Sequence, residues 1–222
     1  MKTKKNKIRI FGFILVAILT LATSNLFALA YTISSIEDCA PGNPCTGNGT
    51  GTQVPDLTVN AGTVMLPLYG FGFFNISGGS VTFNGLSFTT TGSYVAGDIV
   101  NFKLWDMPFG FFNPASAGKV LLSTITTGLG TGNHTFPAFT ATAVPSGSSR
   151  CFYVSMDLAG SAVDGHTVKV SQITNAQITS SAGENYGTNL AGGVQTIAGI
   201  VVQPIELKSF SGENTGKENL LE

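Results

Sequence analysis

Apolar and polar residues alternate with a period of two along most of this chain. The clearest run is Ile99–Trp105, where Val100, Phe102 and Leu104 fall on one face and Asn101, Lys103 and Trp105 on the other. That period predicts a half-buried strand. The run before it carries Val81, Phe83, Leu86 and Phe88, and its alternation slips by one residue at Asn84-Gly85. A β-bulge produces such a slip. A type I′ turn at Asn-Gly is the other reading, but its first arm would be very short.

Similar apolar runs occupy Asp56–Asn60, Val64–Phe74, Val120–Thr126, His134–Ala143, Cys151–Leu158, His166–Ile173, Ala176–Ser180 and Gly193–Val202. Turn clusters of Gly, Ser, Thr, Asn and Pro separate them. Short runs at near-regular spacing indicate an all-β sandwich or barrel. Beyond the first thirty residues no stretch has an apolar period of 3.6 over helical length. The expected fold is an antiparallel β-sandwich, immunoglobulin-like in general architecture, over residues 53–202. Residues 31–52 read as a glycine-rich lead-in with one short strand, and residues 203–222 as a polar tail.

The first thirty residues are of another kind. Lys2, Lys4, Lys5, Lys7 and Arg9 precede the apolar run Ile10–Ala22, and Ala28-Leu29-Ala30 follows as an A-x-A cleavage site. This is the layout of a secretory signal peptide. Its apolar core of thirteen residues is short of the roughly 20 that a membrane-spanning helix needs. The mature chain is therefore expected to begin near Tyr31, to be exported by a Sec-type route and to hold no membrane span. Removing the leader takes five of the eleven basic residues, leaving six against twelve acidic ones, a net charge of −6. Such a chain lacks the basic footprint of a nucleic-acid or anionic-lipid binder.

Export makes disulfides admissible. Cys39 and Cys45 lie in one loop, CAPGNPC, and are expected to pair with each other. Cys151 is left over. Strand phase turns it outward with Tyr153, Ser155 and Asp157, where it would offer a site for disulfide dimers.

Catalytic patterns are scarce. No nucleophile elbow, P-loop, HExxH or EF-hand pattern occurs, and the strings GNGTG and GLGTG precede no helix. His134 and His166 fall in or beside turns and read as solvated. Asp98, Asp157 and Asp164 fall at strand ends, where Asp caps turns; the spacing of a calcium loop is missing. No cofactor or metal is expected. One motif recurs: FGFFN stands at Phe71–Asn75 and again at Phe109–Asn113. The first copy reads as core. The second follows Trp105, and if exposed, Trp105, Phe109, Phe111 and Phe112 would offer aromatic faces to a sugar or a partner. A loop with three Phe and few polar partners fits better as a plug on the end of the sandwich, with Phe111 deepest.

The ordered motifs GLSFTTTGSYVAGDIVNFKLW, VLLSTITTGLGTGNHTFPAF, FYVSMDLAGSAVDGHTVKV and AGGVQTI resemble a β-sandwich module. That module is repeated in large secreted and surface proteins of Gram-negative bacteria that use type IX secretion. The resemblance covers about Val54–Ile200. Leu104-Trp105 and FYVSMDL are also distantly similar to the domain ahead of the propeller in some bacterial sialidases. The tail Pro204–Gly212, followed by Leu220-Leu221-Glu222, resembles the segment that opens the C-terminal region of type IX cargo proteins. Such a region would continue past Glu222, so the tail reads as its truncated start. The resemblance implies a non-enzymatic structural or adhesive module at the cell surface, with surface polysaccharide or other surface proteins as partners. The rival expectation is a carbohydrate-binding accessory module of a glycosidase such as a sialidase.

Overall fold

The fold is taken from a computed structural model that describes residues 30–34, 53–107, 117–182, 184–186 and 189–199. Residues 1–29 of the expected leader, Cys39 and Cys45 of the expected disulfide, Phe109, Phe111, Phe112 and the tail lie outside the described residues. Among the described residues thirteen strands follow in order. They are β1 (Ala30–Ser34), β2 (Leu57–Asn60), β3 (Leu66–Asn75), β4 (Val81–Thr91) and β5 (Ile99–Met107). β6 (Val120–Ile125), β7 (Gly132–Thr135), β8 (Thr142–Val144) and β9 (Ser149–Leu158) come next. β10 (Thr167–Val170), β11 (Ile178–Ser180), β12 (Glu184–Tyr186) and β13 (Gln195–Ala198) end the series.

The strands form two sheets. One has the order β12-β1-β3-β9-β5-β6; the other runs β11-β4-β10-β13-β2, with β7 and β8 also paired to β4. β10 and β11 lie end to end along β4, as do β7 and β8. The expected run His134–Ala143 is thus broken in two, and Pro137, which has no N–H to give a ladder, stands in the break. Two pairings are parallel, β1 with β12 and β13 with β2, so the sandwich is not wholly antiparallel as expected.

Both sheets turn aromatic residues inward. Phe83 of β4 lies 4.3 Å from Phe152 of β9 and 6.0 Å from each of Phe71 and Phe73 of β3. All four are at most 1% exposed. Removing one such ring from water stabilises by about 1.5–3 kcal/mol, so this cluster contributes strongly to holding the sheets together.

Bulges explain where alternation holds and where it slips. At Asn84 the partner register passes from Thr179↔Gly85 to Ser180↔Phe83, leaving Asn84 unopposed; the Asn-Gly pair is a bulge within one strand. A second bulge corrects the reading of β5. Its register with β9 jumps from Ile99↔Leu158 to Asn101↔Asp157, so Val100 is thrown outward, 50% exposed, and Ile99 takes the inward place.

β9 corrects another expectation. It lies between β3 and β5 and is buried on both faces from Cys151 to Leu158. Cys151 faces away from the main core, yet it is 2% exposed in a second cluster with Met107 and Tyr153. Burial, with the Asp106 charge adding to it, pushes its thiol up to about 12. A buried, protonated thiol is a poor nucleophile and does not offer the dimerisation site expected of an outward cysteine.

The quoted motifs map onto packing positions. In AGGVQTI, a Cβ on Gly193 would stand 2.3 Å from the Pro55 carbonyl carbon. The fully buried Gln195 donates from Nε2 to the Pro55 oxygen at 2.8 Å. This motif seats β13 beside β2.

Candidate functional site

Trp105 is the described member of the expected aromatic platform. It sits on the outer face of the six-stranded sheet, opposite Tyr153 in the β5–β9 register. The two rings stand side by side, centroids 6.0 Å apart and planes 11° from parallel. The indole Nε1 donates to Ser155 Oγ at 2.8 Å. On the β6 side Lys119 Nζ lies over the ring, 5.7 Å from its centroid. The indole thus has Tyr153 near-parallel to it and the Lys119 ammonium over its ring. Tyr153 itself is fully buried, and burial pushes its phenol up to about 12.

Further along the same face the chemistry turns ionic. Asp157 Oδ2 accepts from Lys103 Nζ at 2.6 Å and from Asn101 Nδ2 at 2.9 Å. Its Oδ1 accepts the Met65 backbone N–H at 2.7 Å. Burial opposes the Asp157 charge, but Lys103, Met65 and Asn101 together hold its carboxyl below the usual range. Met65 is the one described non-glycine residue with positive φ, at 55°. The carboxylate fixes this strained entry into β3.

Asp98 does equivalent work where the chain passes from β4 to β5. It is 1% exposed. It accepts the backbone N–H groups of Val95 and Val163, each at 2.8 Å, and bonds His166 Nδ1 at 2.7 Å. Burial again opposes the charge, and the Val95, His166 and Val163 donors outweigh it, so the carboxyl is held low. One side chain thereby ties two loops that are remote in sequence. Asp164 accepts the Gly199 N–H at 2.8 Å. All three aspartates therefore bind backbone, as capping predicts, and no group of three or more His, Cys, Asp or Glu among the described residues is arranged to hold a metal.

Two polar centres were not expected. Asp106 and Arg150, both on inward phases, meet at 3.1 Å at one end of the core. Burial pushes the Asp106 carboxyl up and Arg150 only partly offsets this. His134, expected as a solvated turn residue, is instead 4% exposed on β7. Its ring lies 5.0 Å from Phe88 and 4.8 Å from Phe102, with Nε2 2.8 Å from Thr90 Oγ1. A 290 Å³ cleft beside it is lined by Thr124, Thr127, Asn133, Thr135 and Pro137 among others. The alternation Asn133–His134–Thr135–Phe136 was the available sequence cue: it places His134 in phase with Phe136.

No protein-family profile matches the chain, and a comparison with curated proteins finds none that matches. Among the described residues no helix is long and apolar enough to cross a membrane.

The lowered aspartates set the acid limb of stability. A carboxyl held low when folded binds fewer protons than when unfolded, so its stabilisation is complete above its ordinary pKa of about 3.9 and is lost as pH falls through the folded value. Asp106, raised by burial, acts with the opposite sign. Asp98 and Asp157, each held by several donors, set the expectation that the melting temperature falls below about pH 4. Asp98→Asn should flatten that fall. Thermal melts from pH 3 to 6 check this; an unchanged slope in the variant would remove Asp98 from the account.

Proposed function

We propose that this chain is an exported, non-enzymatic β-sandwich module with a structural or adhesive role at the cell surface. It is immunoglobulin-like in general architecture and akin to the type IX-associated modules that its motifs resemble. The reading rests most on Trp105. An aromatic that stacks on sugar needs an open face, and this indole has Tyr153 near-parallel to it, the Lys119 ammonium over its ring and its N–H held by Ser155. The described ionisable groups support it as well. Asp98, Asp106 and Asp157 each bind a strand, loop or cation of the scaffold. The leader at residues 1–30 supports export, and partners would be other surface proteins or surface polysaccharide.

The test is retention of the purified mature chain on a glycan array and on immobilised surface proteins. Binding to protein ligands with no Trp105-dependent glycan retention is expected. Glycan retention that Trp105→Ala abolishes would replace this reading with the carbohydrate-binding accessory module. Export is checked separately: the secreted chain should begin at Tyr31 and be open to protease added to whole cells.

A further inference from the structure

β7 is a four-residue segment at the edge of its sheet. It pairs with Ser87–Thr90 of β4 on one side, and no described strand pairs with its other side. Its one buried residue is His134, so this side chain anchors the segment. The imidazole is enclosed by Phe88, Phe102 and, through Phe88, Phe136. Nε2 meets Thr90 Oγ1, which is bonded in turn to the Tyr94 hydroxyl, and the Gly128 backbone supplies a further hydrogen bond.

We propose that His134 is an acid-sensitive latch that holds β7 on β4. The argument is one of charge in a closed aromatic site. β4 offers the ring Phe88 and Thr90, β5 offers Phe102, and the turn between them offers Tyr94. Tyr94 is the titratable group in that set, and its phenol is itself pushed up by burial. No carboxylate stands among these neighbours to balance an imidazolium, so protonation is costly while the ring stays enclosed. Burial accordingly holds the His134 imidazole below its ordinary value. The sign follows: the neutral ring stabilises the closed form above about pH 6.5, and that advantage is lost as pH falls below it. Release is local because β7 is short and the cleft beside it gives water and the moving segment room. The released form bares the backbone groups of Phe88 and Thr90 along one edge of β4, which is a template for pairing with another chain.

Hydrogen exchange on the intact mature chain tests the latch, with rates corrected for the intrinsic pH dependence of exchange. Opening that frees an imidazole of pKa about 6.5 should rise about tenfold between pH 7.5 and 5.5, in β7 and in the Phe88 and Thr90 amides that face it but not in β9. His134→Phe keeps an aromatic ring and should abolish the rise, whereas His166→Gln, in the other histidine, should retain it. A rise that persists in His134→Phe, or equal protection of β7 at both pH values, overturns the proposal. If His134→Phe does not fold, the His134 ring resonance decides. Titration near 6.5 with β7 amides still protected refutes the latch, and protonation only together with β7 exchange supports it.

Discussion

Phe152→Ala is expected to destabilise the fold by about 3–5 kcal/mol, the range for truncating a buried Phe. Phe152 comes from β9, which pairs with β3 on one side and β5 on the other in the two longest registers among the described strands. Its ring is fully buried and contacts Phe83 at 4.3 Å, Phe71 at 5.5 Å and Phe73 at 6.3 Å. The loss has two parts, the transfer energy of the ring and the cavity left between two sheets that cannot collapse around it. For a domain of this size each kcal/mol lowers the melting temperature by about 2–4 °C. Phe139, half-buried at 5.6 Å from Phe83, is the matched control: Phe139→Ala should cost clearly less. Denaturant titration measures both. A Phe152→Ala cost under about 1 kcal/mol would mean that the aromatic cluster does not hold the sheets together.

Gly92→Ala is the second large effect, and it acts through the backbone. Gly92 ends β4 with φ +126°, a region that side-chain-bearing residues rarely adopt. A Cβ there would stand 2.1 Å from the Thr167 carbonyl oxygen and 2.8 Å from its carbon. Both atoms are backbone, so no rotamer change relieves the clash. The same carbonyl accepts the Tyr94 N–H at 3.2 Å, and Ser93 Oγ accepts the Thr167 N–H at 3.0 Å. Displacing Thr167 therefore loosens the turn and the start of β10 together. Backbone strain alone costs about 1–3 kcal/mol, and these lost hydrogen bonds add about 1 kcal/mol each. Gly97→Ala, in the same connection with open space around its Cβ position, should be nearly neutral. Equal stabilities of the two variants in denaturant melts would refute the close approach.

Both effects lie in elements that the hydrophobic pattern located. The inward phases of β4, of β5 from Phe102 onward and of β9 were legible because strand geometry sends alternate side chains to opposite faces, whatever the partner strand is. Phe83, Phe88, Phe102, Leu104, Phe152, Val154 and Met156 are all buried as that alternation predicts. The bulge at Asn84-Gly85 was legible for the same reason, since it leaves a one-residue slip in the pattern. The bulge at Val100 was not, because Ile99 and Val100 are both apolar and either fits the inward place.

The aspartates were legible as caps and illegible as links. Asp at a strand end announces a turn, but Asp98 and His166 are 68 residues apart, and Asp157 and Met65 are 92 apart. Only pairing of the strands between them brings these groups into contact.

What the sequence determined by itself is therefore local: the all-β content, the period-two faces and most strand positions. Tertiary structure decided which outward faces stay wet. Alternation assigns a residue to a side of its sheet, and whether that side is covered depends on chain from elsewhere. Cys151 and Tyr153 point away from the main core as their phase requires, yet both are buried. His134 lies in phase with Phe136 at the start of its run, and its enclosure comes from Phe88 and Phe102, dozens of residues earlier. Burial of a polar or outward side chain is a property of the assembled sheets, and no local period encodes it.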